Sequence, residues 1–388
     1  TAHARAWDDL QGSGQAQSSC NSCHTTNGSS NLAPDSAGFT SAAADAKKFY
    51  YDVQCESCHG PGAGHISAPD DGQPLSTIVA DTASAFGCAT CHTGAHNPFV
   101  EQWRGSLHGA VHSGTGTNVS CQGCHTGQGA LARFDSEAKY LEKGSSVAQP
   151  ITCSVCHDPH GSDNPSQLRL PVGAPNMETN LCMQCHMRRS VPDPTSSRGP
   201  HSPQGPMVLG EAGYIPPNFV YDATRAGTSH GTEANPRLCA TCHMEAFNVT
   251  DAATGAFQMR STGHSFKAVP CVDANGAPTD STTCPDAQRR FNACSSAGCH
   301  SSTSIASNLR LVLRGRLQAQ IDVLWKDKDG DGVLDALPTD SGLLAIAKTP
   351  LAYESLVAQL AARTVTRRYV ALVQGRVRLA EGVIDDRQ

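Results

Sequence analysis

The motif Cys-x-x-Cys-His recurs seven times along this chain: Cys20/Cys23/His24, Cys55/Cys58/His59, Cys88/Cys91/His92, Cys121/Cys124/His125, Cys153/Cys156/His157, Cys182/Cys185/His186 and Cys239/Cys242/His243. An eighth copy, Cys294-Ser-Ser-Ala-Gly-Cys299-His300, has four residues between its cysteines instead of two. Two thiols followed at once by an imidazole are what a covalently attached porphyrin requires: the thiols add across its two vinyl groups and the imidazole reaches the iron. A zinc knuckle or a redox dithiol uses Cys-x-x-Cys but needs no histidine after every second cysteine. Eight c-type haems are therefore expected, with proximal ligands His24, His59, His92, His125, His157, His186, His243 and His300. For the eighth copy the alternative is a disulfide between Cys294 and Cys299.

Composition agrees with a fold organised around something other than apolar side chains. Only 38% of the 388 residues are hydrophobic and 5% aromatic, whereas Cys (18), His (17) and Gly (36) are in excess. Sixteen cysteines belong to the motifs, and the remaining pair, Cys271 and Cys284, is expected to form a disulfide. Haem attachment and a disulfide both point to an oxidising, extracytoplasmic compartment. The chain opens on Thr1 with no apolar leader, no N-terminal cysteine for a lipid anchor and no run apolar enough to span a bilayer. The expectation is a mature, exported protein, extracellular or on the cell surface, with the periplasm as the alternative. A net charge of −6, to which propionates would add, speaks against nucleic acid as a partner.

After the eight proximal histidines, nine remain for the sixth coordination position: His3, His65, His96, His108, His112, His160, His201, His230 and His264. Nine candidates for eight positions favour a closed, bis-histidine set that passes electrons over an iron open to substrate. His65 and His160 follow a motif within a few residues on Gly/Pro turns that aim them at a neighbouring haem. His108 and His112 lie one turn apart at the end of a short helical stretch, so one is expected to ligate and the other to be spare, with His96 the other surplus candidate. His201, His230 and His264 stand alone in long insertions that would return to cap a haem. Met177, Met183, Met187, Met207, Met244 and Met259 are read as packing on porphyrin faces.

The first cysteines of the first six motifs fall 29 to 35 residues apart, and the spacing then widens to 57 and 55. The intervening segments are Gly/Ser/Asp-rich, with short helical patches expected at Ser41–Lys48 and Ser136–Lys143 and neither helix nor strand from Val191 to Pro217. The expected fold is mostly irregular loops and turns with short α-helices wrapped around a covalent haem chain, with little or no β-sheet. Residues 1–304 make the octahaem region and 305–388 a haem-free helical C-terminal module, with helices over Ile305–Trp325 and Leu351–Val383. Between them Asp327, Asp329, Asp331, Val333 and Asp335, with Gly332 at the sixth position, match the start of a calcium loop. Pro338 stands where such a loop has its bidentate Glu, and the alternative is a solvated acidic turn.

Eight haem motifs with a matching stock of histidines and sparse secondary structure resemble the extracellular multihaem c-type cytochromes of metal-reducing prokaryotes, over roughly residues 3–300. Some of these polymerise into filaments. The resemblance implies electron transfer through closely spaced haems to external acceptors or partner cytochromes, as a homopolymer or a surface cytochrome, with no catalytic residue. It also implies one of two roles for His3, at the extreme N-terminus: completing a haem of the next subunit, or capping one in its own chain. The competing class is an octahaem oxidoreductase of the nitrite, hydroxylamine or tetrathionate type, which marks its active haem with a motif lysine or a haem-linked tyrosine. Every motif here ends in His, while Tyr50, Tyr51, Tyr140, Tyr214 and Tyr221 leave the tyrosine variant formally open. A periplasmic electron shuttle is the third reading. Asn27, Asn118 and Asn248 begin triplets of glycosylation-acceptor spacing.

Overall fold

A computed structural model describes residues 1–26, 38–80, 86–112, 114–191, 200–213, 229–232, 234–296 and 299–324. The chain divides into two compact units, Thr1–Thr303 and Ser304–Gln388.

The first unit is built of short helical pieces and turns. Six of its α-helices carry motif residues: Asn21–His24, Glu56–His59, Val119–His125, Cys153–Cys156, Cys239–His243 and Asn292–Ser295, while Cys88–Thr90 and Cys182–Gln184 are 3-10 turns. The remainder include Ala6–Gly12, Ala63–Ser67, Phe99–Arg104, Gly127–Phe134 and Gln204–Leu209. None of these is long enough to be stable alone, because helix nucleation costs more than a turn or two of hydrogen bonds returns. Tertiary contacts hold them instead. The first α-helix, for example, is capped from 45 residues away, the Asp52 carboxylate accepting from Trp7 N–H at 2.7 Å and from Asp8 N–H at 3.2 Å.

Three local expectations are corrected. Ser136–Lys143 forms turns, because side chains take the backbone groups a helix would use: Asp135 accepts from Glu137 N–H, and Lys143 Nζ donates to the carbonyls of Ser136 and Ala138. The helix lies just upstream, at Gly127–Phe134, where the Thr126 hydroxyl accepts from Gly129 N–H. Ser41–Lys48 is likewise a succession of turns, closing in a 3-10 turn at Lys47–Tyr50. Conversely, Gln204–Leu209 is helical inside the proline-rich stretch, with Pro206 in its first turn, where no N–H is needed.

Sheet structure among the described residues is one antiparallel hairpin, β1 (Phe247–Thr250) and β2 (Phe257–Ser261), pairing Phe247 with Ser261 and Val249 with Met259. Apolar burial is confined to small clusters. One joins Ile78, Ala130, Leu131, Tyr140 and Val155; another joins Ala80, Ala89, Val100 and Trp103, whose indole N–H donates to the Ile151 carbonyl at 2.7 Å. A third packs Trp7 with Phe39 and Tyr51. Cys153, Cys156 and Ala89 lie in or against the first two clusters, so the apolar packing supports the motifs.

The second unit is described as far as Leu324, within the helix Thr303–Leu324. No described helix is long and apolar enough to cross a membrane. The acidic loop Asp327, Asp329, Asp331, Val333 and Asp335, the expected helix Leu351–Val383, and Tyr214, Tyr221 and Asn27 lie outside the described residues.

Candidate haem-binding sites

Within a motif, the backbone of a single helical turn sets the geometry. The histidine N–H bonds to the carbonyl of the first cysteine at 2.9 Å for His59, His92 and His157 and at 3.2 Å for His186. Residues i, i+3 and i+4 of a helical turn share a face, so both thiols and the imidazole point the same way. The eighth motif reaches the same closure by a longer route, its His300 N–H bonding to the Cys294 carbonyl at 3.1 Å across the wider loop.

The proximal rings are oriented through their other nitrogen. Nδ1 of His24, His59, His157 and His243 pairs with the carbonyls of Ala6 (2.9 Å), Pro74 (2.7 Å), Ser166 (2.8 Å) and Phe266 (2.8 Å). A carbonyl only accepts, so Nδ1 carries the proton and the Nε2 lone pair is left for a metal. Burial holds His92, His108 and His264 down at about 4, with nearby histidines adding to the effect. These imidazoles are neutral, as a ligand must be, well below neutral pH.

Across from the proximal rings stand others. With a metal–nitrogen bond of about 2.0 Å and about 1.1 Å more to the ring centre, two imidazoles on one iron have centroids roughly 6 Å apart. The structure holds His3 and His92 at 6.0 Å, His59 and His160 at 6.1 Å, and His108 and His186 at 6.1 Å. It holds His157 and His264 at 6.3 Å and His230 and His300 at 6.1 Å. His125 faces two rings, His112 at 6.4 Å and His201 at 5.8 Å, of which one iron can take one. Among the described residues no three His, Cys, Asp or Glu side chains converge as a metal cage. A site offering two opposed imidazoles and two thiols fits an iron whose four equatorial ligands come from a porphyrin.

His108 and His112 both face a motif histidine, where one of them was expected to be spare. The chain is extended at Ala110, which separates their rings and sends them to different motifs. His3 faces His92 of its own chain, the second of the two roles weighed for it. His201, His230 and His264 do return from the long insertions. His65 lies in Ala63–Ser67 with a buried Nδ1 that has no hydrogen-bond partner in the protein, and His96 is exposed. Neither is in ring contact with a motif histidine, and among the described residues none faces His24 or His243. Cys271 and Cys284 are joined as a disulfide, and none of the sixteen motif cysteines is in one, so Cys294 and Cys299 are not bonded to each other.

Several supporting groups carry no sequence signal. Asn180, fully buried, donates to the carbonyls of Val172 and Ala174 and accepts from the N–H groups of Cys182 and Met183, locking the start of the sixth motif. Arg133 Nη1 reaches the Cys124 sulfur at 3.2 Å and the Gln184 carbonyl at 2.9 Å. Gly263, at φ 80°, lets the turn bearing His264 approach the Met244 backbone, where a Cβ would stand 2.6 Å from a carbonyl carbon. Arg290 forms a forked ion pair with Glu245 at 2.9 and 3.1 Å while its guanidinium covers the Phe247 ring at 3.6 Å. These partners reveal themselves only once the chain is folded; an arginine or an asparagine between motifs looks like any surface residue.

Residues 145–190 match the family model of the doubled CXXCH motif and residues 1–60 that of cytochrome c554 and c-prime. The chain is 25% identical over 260 residues to the C-type polyheme cytochrome OmcC of Geobacter sulfurreducens, covering 59% of this chain and 33% of that protein. It is 28% identical over 161 residues to the multiheme cytochrome MtrA of Shewanella baltica, covering 36% and 44%. The chain thus spans less than half the length of these curated relatives. The crystal structure of the outer cell wall cytochrome OcwA aligns at 20% identity with a TM-score of 0.46, over 79% of this chain and 66% of that one. A 55-residue stretch, 14% of the chain, is 47% identical to the uncharacterized RNA pseudouridine synthase YlyB of Bacillus subtilis, of which it covers 18%.

Proposed function

We propose that this chain, whose relatives are multihaem c-type cytochromes, carries eight covalent haems and conducts electrons through them to acceptors outside the cell. The observation that carries this function is the set of opposed imidazoles across six of the eight motifs. An iron held between two imidazoles changes oxidation state without binding substrate, which suits electron transfer and not catalysis. The chain's residues supply the attachment thiols, hold Nε2 toward the metal through backbone carbonyls, and exclude water from the buried rings. No side chain is needed as acid, base or nucleophile.

Extracellular or surface placement is supported by the thiol chemistry and the Cys271–Cys284 disulfide, both products of an oxidising compartment. Assembly into a homopolymer is the mode proposed for conduction over distance; with His3 turned to His92, the subunit contact would rest on other residues. Calcium in the Asp327–Asp335 loop belongs to the same proposal. The short likeness to a pseudouridine synthase covers too little of that protein to bring RNA chemistry with it.

One observation favours a second reading. His24 and His243 have no facing imidazole among the described residues, and an iron open at either motif would be a place for nitrite, hydroxylamine or tetrathionate to bind. Intact mass of the purified holoprotein, its near-infrared spectrum and electron micrographs test both. Eight attached haems, all low-spin, support the conduit, and filaments its polymeric form. A high-spin signal that shifts with nitrite or hydroxylamine replaces the conduit with an oxidoreductase.

A further inference from the structure

The order in which the motifs meet in space differs from their order along the chain, and contacts between motifs define it. Number the motifs 1 to 8 by their histidines, from His24 to His300. Thiols of different motifs lie side by side in five pairs: Cys23 with Cys91, Cys88 with Cys153, Cys124 with Cys185, Cys182 with Cys239, and Cys242 with Cys294. Each pair joins two porphyrin attachment edges: 1 to 3, 3 to 5, 4 to 6, 6 to 7, and 7 to 8. Cys156 neighbours both Cys182 and Cys185, joining 5 to 6, and Cys58 neighbours both Cys88 and Cys91, joining 2 to 3.

Side-chain contacts of other kinds agree with this map, and the His59–His160 pair adds a contact of motif 2 with the turn that follows motif 5. Ala6, whose carbonyl orients His24, is three residues from His3, which caps His92, so one N-terminal turn serves motifs 1 and 3. The Phe99 ring lies between His92 and His264, at 5.3 and 4.9 Å, bridging motif 3 and the cap of motif 5. Phe266 touches His264 and His108, the caps of motifs 5 and 6, and its carbonyl orients His243 of motif 7. Arg133 reaches the sulfurs of Cys124 and Cys185 at 3.2 and 4.0 Å, tying motif 4 to motif 6. The Glu245–Arg290 pair ties the segment after motif 7 to the segment before motif 8.

We propose that the haem groups form a branched path whose trunk runs through motifs 1, 3, 5, 6, 7 and 8, with motif 2 a side branch at motif 3 and motif 4 a side branch at motif 6. The proposal rests on the conduit function above and adds its route. Motifs 3 and 6 are the junctions, and Phe99 and Phe266 line the central crossing from 3 through 5 to 6. One electron travels the trunk at a time, from a one-electron donor oxidised at one end to a ferric acceptor reduced at the other; no bond forms or breaks and no proton is required. The cysteines of the motifs that are exposed are Cys55 in motif 2, Cys88 in motif 3 and Cys299 in motif 8, so the path comes to the surface on a branch, at a junction and at the trunk's end.

The direct test is an iron-edge anomalous map, or a high-resolution cryo-electron map, of the holoprotein, read for which iron neighbours which. Irons of motifs 3 and 6 with three close neighbours each, that of motif 4 with one, and that of motif 2 beside the trunk at motif 3 are expected. Neighbours following chain order, 1 to 2 to 3 to 4, would overturn the route. A second measurement compares protein-film current in Cys121→Ala/Cys124→Ala, which removes branch 4, with Cys182→Ala/Cys185→Ala, which removes junction 6. Both are expected to lower the current, the second by far the more; equal loss would overturn the branching. If the wild-type mass shows no haem addition, the conduit function itself fails, an outcome distinct from a wrong route.

Discussion

Replacing His3 by alanine isolates a single opposed pair. His3 faces His92 at 6.0 Å and is the ring that stands across from that motif histidine. Its backbone carbonyl accepts from Val53 N–H at 3.0 Å, a bond that alanine preserves, so the N-terminal turn stays anchored. The expected effect is that one iron of eight changes from two imidazoles to one, so about one eighth of the low-spin near-infrared intensity converts to high-spin. The other seven attachments are untouched and the mass should show a full haem complement. Exposed His96, which touches no motif ring, is the control: His96→Ala should leave the spectrum as it was. An unchanged low-spin intensity in His3→Ala refutes the pairing. If the lost intensity returns on mixing with intact protein, His3 serves a neighbouring subunit instead.

Three further outcomes follow from other contacts. Asn180→Ala orphans two backbone carbonyls and two N–H groups at a site sealed from water, and should cost at least about 2 kcal/mol in reversible unfolding of the holoprotein. Asn180→Asp keeps the acceptor but turns a second carboxylate oxygen toward the Val172 and Ala174 carbonyls at a buried site, and should cost at least as much. Removing the disulfide as Cys271→Ser/Cys284→Ser opens a loop with a sequence separation of 13 and should cost about 3 kcal/mol by thermal unfolding, without changing the haem count by mass. At Glu101 burial works against the charge, but the Gly94 N–H at 2.8 Å and the Thr93 hydroxyl outweigh it and hold the carboxyl below its ordinary 4.5. A depressed folded-state value contributes stability that is complete above 4.5 and fades as pH falls through the lower folded value. Glu101→Gln should therefore melt lower than the wild type at pH 7, with the gap closing in acid; a gap that persists there would show that the carboxylate's charge is not what stabilises the turn.

The attachment chemistry is local and was legible in the sequence. Two thiols and an imidazole act within one helical turn, so the motifs name their own cysteines and proximal histidines, and the widened Cys294–His300 copy closes the same backbone bond. Low apolar content and Gly-rich spacers foretold short elements around a cofactor, with little sheet. Elsewhere, local reading failed where side chains compete with the backbone. Lys143 and Asp135 turned an expected helix into turns, and a proline in a permitted first-turn position allowed a helix at Gln204–Leu209.

The sixth ligand is a different kind of quantity. His264 faces His157 from 107 residues away and His3 faces His92 from 89, so which of the nine histidines stands across from which motif is set by where chain segments meet. The same holds for the carbonyls that orient the proximal rings, since a backbone carbonyl has no residue type to read. What the sequence by itself determined is the attachment motif, two thiols with a histidine directly after the second, and where along the chain its eight copies fall. What only the tertiary structure decided is which histidine answers from the other side and which motifs touch, because both depend on distances between residues that the chain's order leaves free.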